Sequence, residues 1–161
     1  MKTLIAYASK TGTTESCARR LSELIEGADV VDLQKNKPNP YDYELVVVGG
    51  SIRAGMLHGT AKKYIKNNAE ALKGKKLAFF VCSADTERAE EYFRANISAE
   101  LLDAAVCADS FGGEMDLDKQ KGLFKLFVKK IVAASEKKGA KPPQLLPDRI
   151  ESFAEKLKEI G

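Results

Sequence analysis

Six consecutive residues, Ser9-Lys10-Thr11-Gly12-Thr13-Thr14, carry four hydroxyls, one lysine and one glycine, between an apolar run and a helical pattern. That order predicts an anion cradle, in which backbone N–H groups, hydroxyl donors and a positive helix end converge. Gly12 lets the main chain approach a ligand without a Cβ, and Ser and Thr donate without bringing a fixed charge. Phosphate is the ligand such a loop suits. A plain N-capping turn is the alternative, but one Ser or Thr is enough for a cap. Two more stretches hold reactive residue types. Within Gly49-Gly50-Ser51-Ile52-Arg53-Ala54-Gly55-Met56-Leu57-His58, Arg53 can grip an anion bidentately, and His58, the only histidine, can relay protons near neutral pH. Their ordinary alternatives are a solvated arginine and a histidine that caps a helix. Ser83-Ala84-Asp85 reads as a tight loop, with Asp85 or Thr86 able to cap the helix that follows.

Other chemistries are excluded by what the chain lacks. No G-x-x-x-x-G-K-[ST] and no G-x-G-x-x-G after the first strand are present, which argues against a P-loop NTPase and a dinucleotide-binding unit. The first strand ends in Tyr7-Ala8-Ser9 with no acidic cluster to hold magnesium, which disfavours a phosphorylated receiver. Cys17, Cys82 and Cys107 are odd in number and form no C-x-x-C pair, so neither a disulfide framework nor a structural zinc is expected and buried thiols are the default. No metal site and no protein nucleophile is predicted.

The elements that must position these loops alternate. Thr3 to Ala8, Asp29 to Leu33, Leu45 to Gly49, Leu77 to Cys82 and Ala104 to Phe111 read as strands, and the run Leu45-Val46-Val47-Val48 marks a sheet centre covered on both faces. Between them, Cys17, Ala18, Leu21, Leu24 and Ile25 trace a helix from Thr13 to Glu26. Ala61, Tyr64, Ile65, Asn68, Ala69 and Leu72 trace a second, Ala89, Tyr92, Phe93, Ile97 and Leu101 a third. Pro147 opens a last helix with Ile150, Phe153, Ala154, Leu157 and Ile160 on one stripe. Strand and helix in this alternation predict a parallel α/β sheet in a single domain, residues 1–161. Its 161 residues and 44% hydrophobic content are enough for a full core.

Tyr7-x-Ser9-x-x-Gly12-x-Thr14, preceded by Leu4-Ile5, resembles the FMN phosphate signature of the flavodoxin family, departing at Ala6, where a larger apolar residue is usual. The resemblance implies a flavodoxin-like doubly wound five-stranded parallel sheet of order 2-1-3-4-5, with an extra helical segment before the last helix. It also implies FMN as cofactor: phosphate at Ser9, Lys10, Thr11, Gly12, Thr13 and Thr14, and the ring between Ser51, Ile52, Arg53, Gly55 and Ser83, Ala84, Asp85. The segment Gly49 to His58 is similar to the corresponding part of oxygen-independent, quinone-coupled protoporphyrinogen dehydrogenases, flavodoxin-fold enzymes of haem biosynthesis. In that likeness Arg53 would stabilise an anionic reduced ring or hold a substrate carboxylate.

Glu114 to Leu146 exceeds what a minimal flavodoxin needs. Leu123, Phe124, Leu126, Phe127, Val128, Ile131 and Val132 would cover an arc of about 240° on a helix, wider than the stripe of about 100° one core contact requires. Interleaved lysines, Lys119, Lys121, Lys125, Lys129 and Lys130, make residues 117–138 read as a docking surface for a membrane or an acidic partner. The alternative is a buried helix with a lysine-rich solvated face. A net charge of +3 is too modest to imply nucleic acid, but simple electron-carrier flavodoxins are usually acidic, so a basic chain suggests a different partner. No run reaches the ~18 apolar residues of a membrane span, which predicts a cytoplasmic protein, at most peripheral to the membrane. Three functions are left: an FMN electron carrier passing electrons to a redox partner protein or quinone, a protoporphyrinogen-dehydrogenase-like enzyme, and a flavin-free binding module.

Overall fold

A computed structural model describes residues 1–113 and 144–161. The strands are β1 (Thr3–Ala8), β2 (Asp29–Asp32), β3 (Leu45–Arg53), β4 (Met56–Leu57), β5 (Lys76–Cys82) and β6 (Cys107–Ser110). The helices are α1 (Thr13–Leu24), α2 (Gly59–Asn67), α3 (Ala69–Lys73), α4 (Ala89–Asn96), α5 (Ala99–Ala104) and α6 (Pro147–Glu159). The parallel sheet runs β2-β1-β3-β5-β6, and β4 pairs antiparallel with the end of β3 outside that path. With the short β4 set aside, this is the 2-1-3-4-5 order expected from the sequence.

The side-chain period of two along each strand divides the core between the two faces. Leu4, Ala6, Val46, Val48, Leu77 and Phe79 pack on one side with Ala61, Tyr64, Ile65, Leu72, Phe93 and Leu101 from α2 to α5. Ile5, Tyr7, Leu45, Val47, Ala78 and Phe80 pack on the other with α1 and α6. There Phe80 stacks on Phe111 with centroids 4.7 Å apart, and Phe153 of α6 meets Phe111 edge-on at 5.1 Å. Gly49 makes this cluster possible, because a Cβ at that position would overlap the Phe80 ring.

Several boundaries differ from the sequence reading. β3 does not stop at Gly49: it continues to Arg53 and folds back as β4, so Ser51, Ile52 and Arg53 lie on a strand end and not in an open loop. α1 ends at Leu24 rather than Glu26, followed by Gly27 at φ 75°. The expected second helix breaks at Asn68, whose Nδ2 bonds back to the Tyr64 carbonyl at 2.9 Å. The expected third helix is three pieces, a 3₁₀ turn (Thr86–Arg88), α4 and α5, separated by extended Ile97 and by Ser98, whose hydroxyl caps α5. The last strand starts at Cys107, because α5 takes Ala104. The expected helix within 122–132 lies outside the described residues.

Candidate functional site

Three loops meet where β1, β3 and β5 end. Parallel pairing sets Ala8 beside Gly50, and Ser51 beside Cys82, so the sheet delivers all three to one edge. In the first loop Gly12 adopts φ 90°, a left-handed conformation that favours glycine. Its N–H donates to the Ser9 hydroxyl at 3.0 Å, and its carbonyl accepts from the backbone N–H and hydroxyl of Ser16, both at 3.0 Å. No side chain caps α1. The first-turn amides therefore keep no side-chain acceptor and stand available to an anion.

Thr14 adds the sharpest observation. Its side chain is fully buried and its hydroxyl has no hydrogen-bond partner among the described residues, although it lies near enough to the weakly polar Cys82 thiol to influence it. Leaving such a group unpaired costs about 1–3 kcal/mol, an energy that an oxygen of a bound phosphate would recover. Beneath it the Cys17 and Cys82 sulfurs touch at 3.6 Å as free thiols, and this contact together with burial pushes the Cys82 thiol well above its ordinary range. Cys107, expected to be buried like the others, is only partly so.

The second loop is a hairpin. Arg53 pairs with Met56 and Ile52 with Leu57 across Ala54 and Gly55, whose φ angles of 50° and 76° define a two-residue mirror-type turn. Ala54 bears a conformation that glycine would take freely, at a cost of roughly 1–2 kcal/mol. Asn96 at the end of α4 reaches across to it. Its Nδ2 donates to the Gly55 carbonyl at 2.9 Å and its Oδ1 accepts from the Leu57 N–H at 3.0 Å. Sequence reasoning missed this residue, because the expected third helix ran through it and gave its side chain no special place.

Arg53 is half-buried, and burial lowers its guanidinium pKa. His58 caps α2: Nδ1 accepts from the Thr60 N–H at 3.2 Å, and the His58 N–H donates to the Ser51 carbonyl at 2.9 Å. Burial first, then the charges of Lys10 and Arg53, hold its pKa below 6.5 against the pull of Asp32. The imidazole is therefore neutral at pH 7, with its proton on Nε2, and the capping alternative for His58 describes what it does. Those couplings also join the first loop, the hairpin and the end of β2 in one electrostatic neighbourhood.

In the third loop the buried Ser83 hydroxyl donates to the Asp85 carbonyl at 3.1 Å and lies 3.5 Å from the Ser110 hydroxyl. Ala84 and Asp85 are exposed. Neither Asp85 nor Thr86 makes the expected cap, because the helix starts as a 3₁₀ turn with no side-chain cap bond. Gly113 presses against this loop, and a Cβ there would stand 3.2 Å from the Ser83 carbonyl carbon. Among the described residues no cluster of His, Cys, Asp or Glu could hold a metal.

A doubly wound parallel sheet whose loops gather at its switch point defines a class of ligand-binding α/β domains. The chain belongs, within that class, to the flavodoxin domain family, which matches residues 4–141. It is similar to the protoporphyrinogen IX dehydrogenase [quinone] of Escherichia coli K12, 36% identical over 85 residues, which are 50% of this chain and 47% of that protein. The chain thus matches about half the length of the curated relatives. In fold it is similar to a flavoprotein in complex with FMN from Lactobacillus acidophilus, with TM-score 0.55 and 15% identity over 68% of this chain and 92% of that one. Two-electron reduced flavodoxin from Megasphaera elsdenii gives TM-score 0.53 and 20% identity over 67% of this chain and 84% of that one.

Proposed function

We propose that this protein binds FMN noncovalently and carries electrons through it. The observation that carries the reading is the orphaned, buried Thr14 hydroxyl beside the uncapped start of α1, in a chain of the flavodoxin domain family. Ser9, Lys10, Thr11, Gly12, Thr13 and Thr14 would hold the phosphate. Ser51, Ile52, Arg53 and Gly55 on the hairpin and Ser83, Ala84 and Asp85 opposite would flank the ring. Bound FMN supplies the electron chemistry, and the protein supplies binding, orientation and electrostatics. Here the hairpin and the Ser83–Ser110 contact provide fixed walls, while Arg53 and Lys10 supply positive charge. The test is FMN titration of wild type beside Thr11→Asp and Thr14→Asp. A carboxylate ~4 Å from a phosphate at an effective dielectric near 20 costs about 4 kcal/mol, enough to abolish binding. Unchanged affinity in both variants would remove the assignment, and equal affinity for FAD would remove the terminal-phosphate reading.

A second reading, an enzyme that oxidises a porphyrinogen and passes electrons to a quinone, is supported by the likeness to protoporphyrinogen IX dehydrogenase and by the half-buried Arg53. In that reading Arg53 holds a substrate carboxylate. Anaerobic assay with protoporphyrinogen and a menaquinone analogue decides it: Arg53→Ala should lower kcat/KM about 10–100-fold while dye reduction persists. No porphyrin from FMN-loaded wild type would leave the carrier alone. We infer that the electron partner is a quinone or redox protein and that residues 117–138 dock to an anionic membrane surface or acidic partner. The interleaving of lysines with apolar residues along that stretch supports this.

A further inference from the structure

The turn at Ala54–Gly55 is not self-sufficient. Two successive left-handed residues, one of them alanine, form the tip of the hairpin, and the second position is held from outside by a side chain 41 residues away. Asn96 spends its whole carboxamide there. Nδ2 donates both to the Gly55 carbonyl at 2.9 Å and to the Tyr92 carbonyl of its own helix at 2.8 Å, while Oδ1 accepts from Leu57 N–H at 3.0 Å. One planar group thus ties the outgoing turn, the returning strand and α4 together. Tyr92 lies under the same turn, its ring 3.9 Å from where a Gly55 Cβ would stand. The Gly55 carbonyl is therefore engaged by α4, although the glycine that carries it is the residue free to turn.

We propose that Asn96 is a positioning residue for the flavin: it fixes the Ala54–Gly55 turn, so that FMN meets a preformed wall and the potential of the bound flavin is set by a turn that cannot reorient. The inference rests on the FMN reading of the site, but its foundation is measurable without flavin. Preorganisation raises affinity by removing the cost of ordering a loop on binding. Asn96 also lies outside every contact proposed for the cofactor, so it acts only through Gly55 and Leu57.

The experiment compares wild type, Asn96→Ala and Asn96→Asp by amide hydrogen exchange of the ligand-free protein, FMN titration and the midpoint potential of bound FMN. Asn96→Asp preserves size and the acceptor for Leu57 but sets a carboxylate against the Gly55 and Tyr92 carbonyls. In wild type the Leu57 amide should be protected; in both variants its exchange should accelerate about 5–30-fold relative to the β1 and β5 amides, the factor that one or two hydrogen bonds represent. FMN affinity should fall by a similar factor and the potential should shift, with Asn96→Asp at least as affected as Asn96→Ala. A structural filler predicts the reverse order, with Asn96→Asp close to wild type, and that result overturns the proposal. So does a wild-type Leu57 amide that exchanges like an open loop, a measurement that stands even where a variant fails to fold. Failure of wild type to bind FMN, with Leu57 protected, would instead fall on the cofactor assignment.

Discussion

Thr14 separates affinity from stability. Thr14→Val keeps the volume and shape of the side chain while deleting a buried hydroxyl that has no partner. Without FMN the variant should be more stable by about 1–3 kcal/mol in urea unfolding, and yet bind FMN about 10–100-fold more weakly, since a hydrogen bond to a charged group is lost. Parallel losses in both would show that the hydroxyl serves the fold. His58 gives a pH signature. Its folded pKa lies below its ordinary 6.5, so below that pH the unfolded chain takes up the proton first and stability falls until the folded pKa is passed. His58→Asn retains a cap for α2 without a titrating ring, so thermal unfolding between pH 7 and 5 should decline more in wild type than in the variant. The hydroxyl run around Gly12 and the Arg53-to-His58 grouping were picked out by residue type alone, and the strand pairing brings both to one edge of the sheet. Asn96 was not, since its partners at Gly55 and Leu57 are distant in sequence and bond through backbone atoms that carry no residue signature.

Among the elements, β3 carries the tightest steric demand. Gly49→Ala would drive a Cβ into the Phe80 ring and disturb its stack with Phe111, whereas Gly50→Ala meets Leu57 Cδ1 at 2.7 Å and Ala61 Cβ at 3.2 Å. Overpacking of this kind costs about 1–3 kcal/mol. Gly49→Ala should show the larger drop in urea midpoint with an unchanged m-value, since Leu57 is a flexible side chain and Phe80 is wedged between Phe111 and Phe153. Equal midpoints would mean that Phe80 has another place to go. The strand run Leu45 to Val48 was readable because burial on both faces imposes an uninterrupted apolar sequence. The helix breaks at Asn68 and Ile97 were not. Apolar spacing stays in phase across them, and one or two residues leaving helical geometry do not disturb a stripe that both pieces press on the same sheet face. The β4 hairpin was hidden for a related reason, being two residues that pair only with the end of β3.

At the scale of the whole molecule, alternation of elements and short crossovers leave few strand orders, the resemblance to flavodoxins selects the observed one among them, and the edge where the loops gather follows from that order. Its electrostatics do not follow: the influence of Asp32, Lys10 and Arg53 on His58 arises only once β2, the first loop and the hairpin are side by side. Docking by residues 117–138 belongs to this scale too. Charge reversal at Lys125, Lys129 and Lys130 should weaken sedimentation with anionic vesicles, and raised salt should reproduce it in wild type; salt-independent sedimentation would count against it. The thiol pair under the first loop has a separate consequence, in time rather than in equilibrium. Only a thiolate alkylates at an appreciable rate; Cys17 and Cys82 are buried against each other, and burial pushes partly exposed Cys107 up to about 11. Iodoacetamide should therefore mark Cys107 slowly in the native protein and reach the other two only when α1 lifts from β5. Mass-resolved labelling of those two cysteines becomes a clock for that opening. FMN should slow it by the factor 1 + [FMN]/Kd, and a labelling rate indifferent to FMN would place the ligand elsewhere than above this seam.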